Sequence, residues 1–201
     1  MRYKVLNTTV KDPSASSPEW DRANTGKIEF QRWKEYYQPI ETTFKMLKGP
    51  EGISVLFHTN EKNLRAECLE ENGEICMDSC MEFFFKPDPW DLNYMNIEIN
   101  PKGIMHIGIG KDRHGREPIW EDRKTFSIES IPNEGDWTLK FYLPFDFLLK
   151  YYMKIAPVCR GNFYKCGEDT DHSHFITWSE VEVENPDFHI ADFFGKFEFE
   201  E

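Results

Sequence analysis

From Gly52 onward the chain alternates short apolar runs with turn signals, and the runs are rich in β-branched and aromatic residues. GISVLFHT, LRAECLEENGE, CMEFFFKPDPWD, NYMNIEINPKG, IMHIGIG, TFSIES, WTLKFYLP and KFEFEE each read as a strand or a strand with its turn. Only FDFLLKYYM looks helical, and it is short. Many short strands at regular spacing predict an all-β fold: an antiparallel β-sandwich of the immunoglobulin-like or jelly-roll type with one or two short helices. The stretch KDPSASSPEWDRANTG has no periodicity and is rich in Ser, Pro and Asp, so residues 1–26 are expected as an irregular N-terminal arm of one domain spanning 1–201.

Two runs have clean period-two alternation, which assigns their faces. In MEFFFK, Met81, Phe83 and Phe85 point one way and Glu82, Phe84 and Lys86 the other. In NYMNIEIN, Met95, Ile97 and Ile99 face the core, leaving Tyr94, Asn96, Glu98 and Asn100 opposite. The link PDPWDL predicts a hairpin between them, and pairing would gather carboxylates, amides and rings on one face. By the same rule WTLKFYL buries Trp137, Leu139, Phe141 and Leu143 and exposes Thr138, Lys140 and Tyr142.

Composition narrows the partners. Asp plus Glu number 36 against 24 Lys plus Arg, a formal charge of −12 that repels polyphosphate backbones and anionic lipid, so neither nucleic acid nor a membrane surface is expected as a partner. No apolar run approaches the roughly 20 residues of a membrane span, and MRYKVLNTTVKD has no apolar stretch of the signal-peptide kind. The five cysteines are odd in number and lack paired C-x-x-C spacing, so they are expected mostly as reduced thiols. Aromatic residues make up 15% of the chain, more than a modest core needs, which leaves rings for a binding surface.

A wet polar face is ordinary in an antiparallel sheet. Rings framed by carboxylate, amide and amine groups are also what a sugar requires, the rings for its C–H faces and the polar groups for its hydroxyls. In GNFYKCGEDTDHSHFITW, Asn162, Tyr164 and Lys165 are candidate hydroxyl partners to complement Glu82. The turn-prone tail offers Asp169, Asp171, His172 and His174 as weak metal candidates, and Trp178 follows the apolar alternation into the core.

The ordered runs DSCMEFFFKP, YMNIEINPKG, GNFYKCGED, HFITW and NPDFHIADFFGKFEF resemble the carbohydrate-binding family 9-like domains, relatives of the family 9 modules attached to xylanases, from about Gly52 to the C-terminus. The resemblance implies a two-sheet β-sandwich that binds sugar without catalysis, often with structural calcium and in exported polysaccharide-degrading systems. It places the family's acidic strand residue on Glu82 and a polar position on Glu98 or Asn96, where the xylanase modules carry an arginine that this sequence lacks. The sugar-stacking tryptophan seven residues before the glycine of an FG pair corresponds to Phe188, beside His189. The second stacking tryptophan falls near Cys76, which is no platform, and Trp90 in the hairpin loop is the ring that could replace it.

Three functions stand open on the sequence. The first is a non-catalytic carbohydrate-binding domain working beside glycoside hydrolases. The second is a glycosidase using Glu82 and Glu98, which would need carboxyl groups about 5–5.5 Å apart to retain or about 6.5–9.5 Å apart to invert configuration. The third is a sandwich whose aromatic face meets another protein.

Overall fold

The computed structural model describes residues 1–201. Thirteen strands follow in chain order: β1 (Arg2–Asn7), β2 (Gly26–Ile28), β3 (Thr42–Lys48), β4 (Gly52–Thr59), β5 (Cys80–Lys86), β6 (Tyr94–Ile99), β7 (Met105–Gly110), β8 (Glu117–Pro118), β9 (Glu129–Asn133), β10 (Asp136–Pro144), β11 (Val158–Gly167), β12 (His174–Thr177) and β13 (Gly195–Phe199). The single α-helix, α1 (Phe145–Leu148), covers only the start of FDFLLKYYM, and no helix is long and apolar enough to cross a membrane.

The strands form two layers joined at one corner. Sheet A runs β8-β7-β6-β5-β11-β13-β1, with β12 also on β11, and sheet B runs β1-β3-β4-β10-β9, with β2 on β3. Strand β1 belongs to both: Arg2 to Val5 pair with Lys196 to Phe199, and Leu6 and Asn7 with Leu47 and Lys48. Both pairings are parallel, while the other ladders are antiparallel.

Between the layers, period-two alternation delivers one ring or aliphatic side chain per two residues, as the pleat requires. Phe163 of β11 lies between Phe83 of β5, 4.5 Å between centroids, and Phe44 of the facing sheet at 3.8 Å, both stacked. Trp178 packs at this level against Phe197, as its place in HFITW suggested.

Several expectations are corrected. Residues 2–7 are a strand: exposed Arg2 and Lys4 alternate with buried Tyr3 and Val5, and its partners come from the distant β13 and β3. Residues 18–21 form a 3-10 turn capped by Ser17. The irregular remainder of the arm covers sheet B: Trp20 is buried with Ala23 and Leu47. Lys140 and Tyr142, expected in water, are buried under it, with the Lys140 ammonium paired to Asp12 and 3.5 Å from Glu129. LRAECLEENGE is an irregular loop, not a strand, and the hairpin β5–β6 forms in the predicted register.

Removing the ring at the centre of the stack should be costly because it leaves a cavity lined from both sheets. We expect Phe163→Ala to lower unfolding free energy by about 3–5 kcal/mol in chemical denaturation. A loss below about 1 kcal/mol would show that the layers do not depend on this stack.

Candidate functional site

The outer face of sheet A carries the polar groups, and the register sets them in rows. Tyr164, Glu82, Glu98 and His106 lie opposite one another across β11, β5, β6 and β7, with Phe84, Asn96 and Gly108 forming the next row. Directly opposed residues point to the same face, so the two carboxylates are neighbours by construction.

This face is also largely closed. A second apolar cluster, including Trp33, Phe84, Tyr94, Tyr164, Phe188 and Phe194, packs across it. Phe188 lies flat on Tyr164, 4.1 Å between centroids and 10° between planes, with Trp33 at 6.3 Å and the edge of Phe175 at 6.0 Å. The Tyr164 hydroxyl donates to the Phe188 carbonyl at 3.0 Å. Only 7% of Phe188 is exposed, so it is a plug in the cover rather than an open platform. The expected stacking role fails because Tyr164, a ring on the sheet itself, already occupies the Phe188 face.

Beside the cover runs a strip along β6 and β7 that is itself nearly closed, Asn96 being 1% and Glu98 8% exposed. The guanidinium of Arg116, in the turn before β8, lies 4.7 Å from the Tyr94 ring centroid and donates through Nη2 to Asn96 Oδ1. Asn96 Nδ2 donates in turn to Glu98 Oε1 at 2.7 Å. Gly108 and Gly110 make room for this chain: a Cβ on Gly108 would lie 2.8 Å from Asn96 Oδ1, and one on Gly110 3.0 Å from Arg116 Cγ. Arg116 Nε has no partner within the protein. The cationic donor that the sequence comparison of strands left missing is therefore supplied from a neighbouring turn. Alternate glycines in IMHIGIG were its sequence signal, since a strand interior without side chains marks a close approach.

Electrostatics differ along the rows. Glu82 is 3% exposed; burial and the adjacent Glu98 push its carboxyl well above the ordinary carboxylate range, while the Cys166 thiol donates to its Oε1 at 2.8 Å. Burial lowers the Arg116 guanidinium, and burial beside Arg116 and Arg113 brings His189 down to about 3, leaving a neutral ring that shares a 3.0 Å hydrogen bond with the Tyr94 hydroxyl. Arg113 pairs with Asp187 at 3.0 Å, tying the turn that carries Arg116 to the loop that carries Phe188 and His189.

Of the residues expected at the site, Glu82, Asn96, Glu98, Tyr164, Phe188 and His189 are gathered on this face. Asn162 lies on it too, opposite Phe84, while Lys165, Trp90, Asp169 and Asp171 lie elsewhere. Lys165 points to the opposite face of β11 and is fully buried, with Nζ 2.8 Å from Glu61 and 3.0 Å from His174 Nε2 and donating to the Cys166 carbonyl at 2.7 Å. Asn162 is spent on backbone, donating to the Ser179 carbonyl and accepting from the Ser179 and Phe163 amides. Trp90, 88% exposed, stands in the β5–β6 hairpin loop, and Asp169 is held by Arg65 at 2.7 Å. Asp171 and His172 line a separate cavity of about 360 Å³ with Asn60, Glu61 and His174.

Comparison with known proteins follows the same lines. The sequence matches the model of a family described as carbohydrate-binding family 9 over residues 18–199. A protein of Bacteroides uniformis ATCC 8492, provisionally described as carbohydrate-binding, is 25% identical, with a TM-score of 0.89 over 99% of both chains. Two structures of a family 9 carbohydrate-binding module from Caldicellulosiruptor kristjanssonii share the fold at 10% identity. The glucose complex has a TM-score of 0.71 over 100% of this chain and 96% of that one, and the cellotriose complex 0.70 over 99% and 93%. No curated protein matches the sequence.

The buried trio at Lys165 makes a pH prediction. His174 Nε2 accepts from the Lys165 ammonium and Nδ1 donates to the His172 carbonyl, an assignment of tautomer made from the partners. Burial and Lys165 lower His174 from 6.5 to about 4. The unfolded chain takes up this proton first, so stability is present above pH 6.5 and falls as pH drops toward 4, by at most about 3 kcal/mol. Glu82 acts with the opposite sign, its contribution fading as pH rises above the unfolded carboxylate value. Urea denaturation across this window should show a shallower decline in His174→Gln than in wild type, and equal slopes would refute the assignment.

Proposed function

The chain belongs to carbohydrate-binding family 9, a family of non-catalytic carbohydrate-binding domains, and on that premise we propose that the sugar is held at the strip of Glu98, Asn96 and Arg116 on the outer face of sheet A. The observation that carries this reading is the hydrogen-bonded chain from Arg116 through Asn96 to Glu98. Arg116 has a donor without a protein partner, and Glu98 offers a carboxylate beside it. A planar donor fork next to a carboxylate suits adjacent hydroxyls, one accepting and one donating. His106 and the neutral ring of His189 flank the strip.

Glu82 lies behind this strip, bonded by a thiol and withdrawn from solvent, so it supports Glu98 rather than touching the ligand. With Phe188 covered by Tyr164, ring stacking contributes little and hydrogen bonding carries the recognition. Directed polar groups of this kind suit a single sugar unit or a chain end better than the middle of a flat chain. Glucose and cellotriose, the ligands of the two Caldicellulosiruptor complexes, are the first compounds to try.

Isothermal titration of the wild-type chain over a panel including both sugars tests the reading. Glu98→Gln and Arg116→Lys should each weaken binding about ten- to a hundredfold with unchanged melting, the loss expected for one charge-assisted partner. Binding unaltered in both variants would remove the strip from consideration. Phe188→Ala should mainly lower stability, as a lost core ring does.

Family membership supports two extensions, service to carbohydrate catabolism beside glycoside hydrolases and a structural calcium. Asp171 is the oxygen donor left free of a cation on its loop, Asp169 being held by Arg65. A calcium site predicts a lower melting temperature in EGTA; faster release of soluble sugar by a hydrolase fused to the chain would support the first extension.

A further inference from the structure

Beneath the strip, where no sugar reaches, the strands assemble a second set of donors. Cys80 and Cys166 are directly opposed across β5 and β11, and Glu82 follows Cys80 by two residues on the same face. Opposed and alternate residues share a face, so two thiols and a carboxyl converge. Their donor atoms all lie within 4.8 Å of one another, and all three side chains are buried. Cys76, in the 3-10 turn before β5, stands alongside, its carbonyl oxygen 3.7 Å from Cys166 Sγ and its thiol within electrostatic reach of Cys80 and Glu82.

We infer that Cys80, Cys166 and Glu82 form a binding site for a soft divalent cation of the zinc class. Sulfur with one carboxylate oxygen is a zinc-type donor set, distinct from the all-oxygen sets that take calcium. A tetrahedral zinc holds thiolate sulfurs about 3.8 Å apart. Donors already within 4.8 Å need close by only about an ångström to reach that spacing. No protein cation occupies the position: the Lys165 ammonium is on the other face with Glu61, and Arg116 is engaged by Asn96. Binding exchanges the thiol protons, and that of Glu82 when it carries one, for the metal. The site is closed, as structural rather than catalytic zinc sites are. It ties β5 to β11, independently of whether the strip above binds sugar.

The test uses the full chain, purified under reducing conditions, equilibrated with Zn²⁺ or Co²⁺ and then desalted. Wild type should retain about one equivalent of metal, and the Co²⁺ form should show thiolate-to-metal absorption in the near ultraviolet. Cys166→Ser and Glu82→Gln should lose most of the retained metal, while Cys68→Ser, whose thiol turns to the Glu70 carbonyl, should keep it. Wild type retaining no metal after desalting overturns the inference, as does equal loss in Cys68→Ser. A mass lower by two hydrogens with no metal bound also overturns it, since the opposed cysteines would then be a disulfide. Should a variant fail to fold, the wild-type metal content and Co²⁺ spectrum decide alone. Glucan titration, read separately through Glu98→Gln, keeps this result distinct from that for sugar binding.

Discussion

Sheet A is buried on both of its faces, and this constraint governs the rest of the molecule. Toward sheet B, Phe163 and Phe83 stack with Phe44, and on the other side Phe84 and Tyr164 meet Phe188 and Phe194. A polar group on such a sheet has no water to fall back on, so each needs a partner inside the protein. Glu82 takes a thiol, Asn162 takes backbone, and Asn96 bridges an arginine to a carboxylate. Three strands that look amphipathic in sequence are thus covered on both faces.

The same covering explains why the binding face differs from an open aromatic clamp. The loop carrying Phe188 folds down until its ring seals Tyr164, and the Arg113–Asp187 pair fastens that loop to the turn before β8. That turn brings Arg116 over two glycines, where no side chain competes for the space. The hydrogen bonds from Arg116 through Asn96 to Glu98 therefore lie in a place of low dielectric, where orientation counts for more than contact area.

Buried charge recurs at the other end of the sandwich and on its far side. Lys165 with Glu61 and neutral His174 closes the end of β11, and Lys140 with Asp12 and Glu129 pins the N-terminal arm to sheet B. Such pairs add little net stability over apolar residues of the same volume, but breaking one leaves a bare charge inside. They specify where a loop must sit. The formal charge is −12 overall, and in the interior each of these buried ammonium groups meets at least one carboxylate.

Period two along single strands was enough to set the inward faces of β5, β6 and β10, the hairpin between β5 and β6, the sandwich class, and the neighbourhood of Glu82, Asn96 and Glu98. These are local properties, fixed by a repeat that any one strand displays. Whether the opposite face meets water was beyond it, because the cover comes from segments distant in sequence: the arm over Lys140 and Tyr142, and the loop of Phe188 over Tyr164. Lys165 read as a hydroxyl partner until its place in the β11 alternation, beside inward-facing Phe163, set it on the other face. The alternate glycines of β7 signalled a close approach, but a turn has no periodicity to name Arg116 as the side chain that makes it. The sequence by itself determined which residues share a strand face; only the tertiary structure decided which faces are closed and which side chain arrives from elsewhere, because burial and long-range pairing belong to the packed chain and not to any one of its segments.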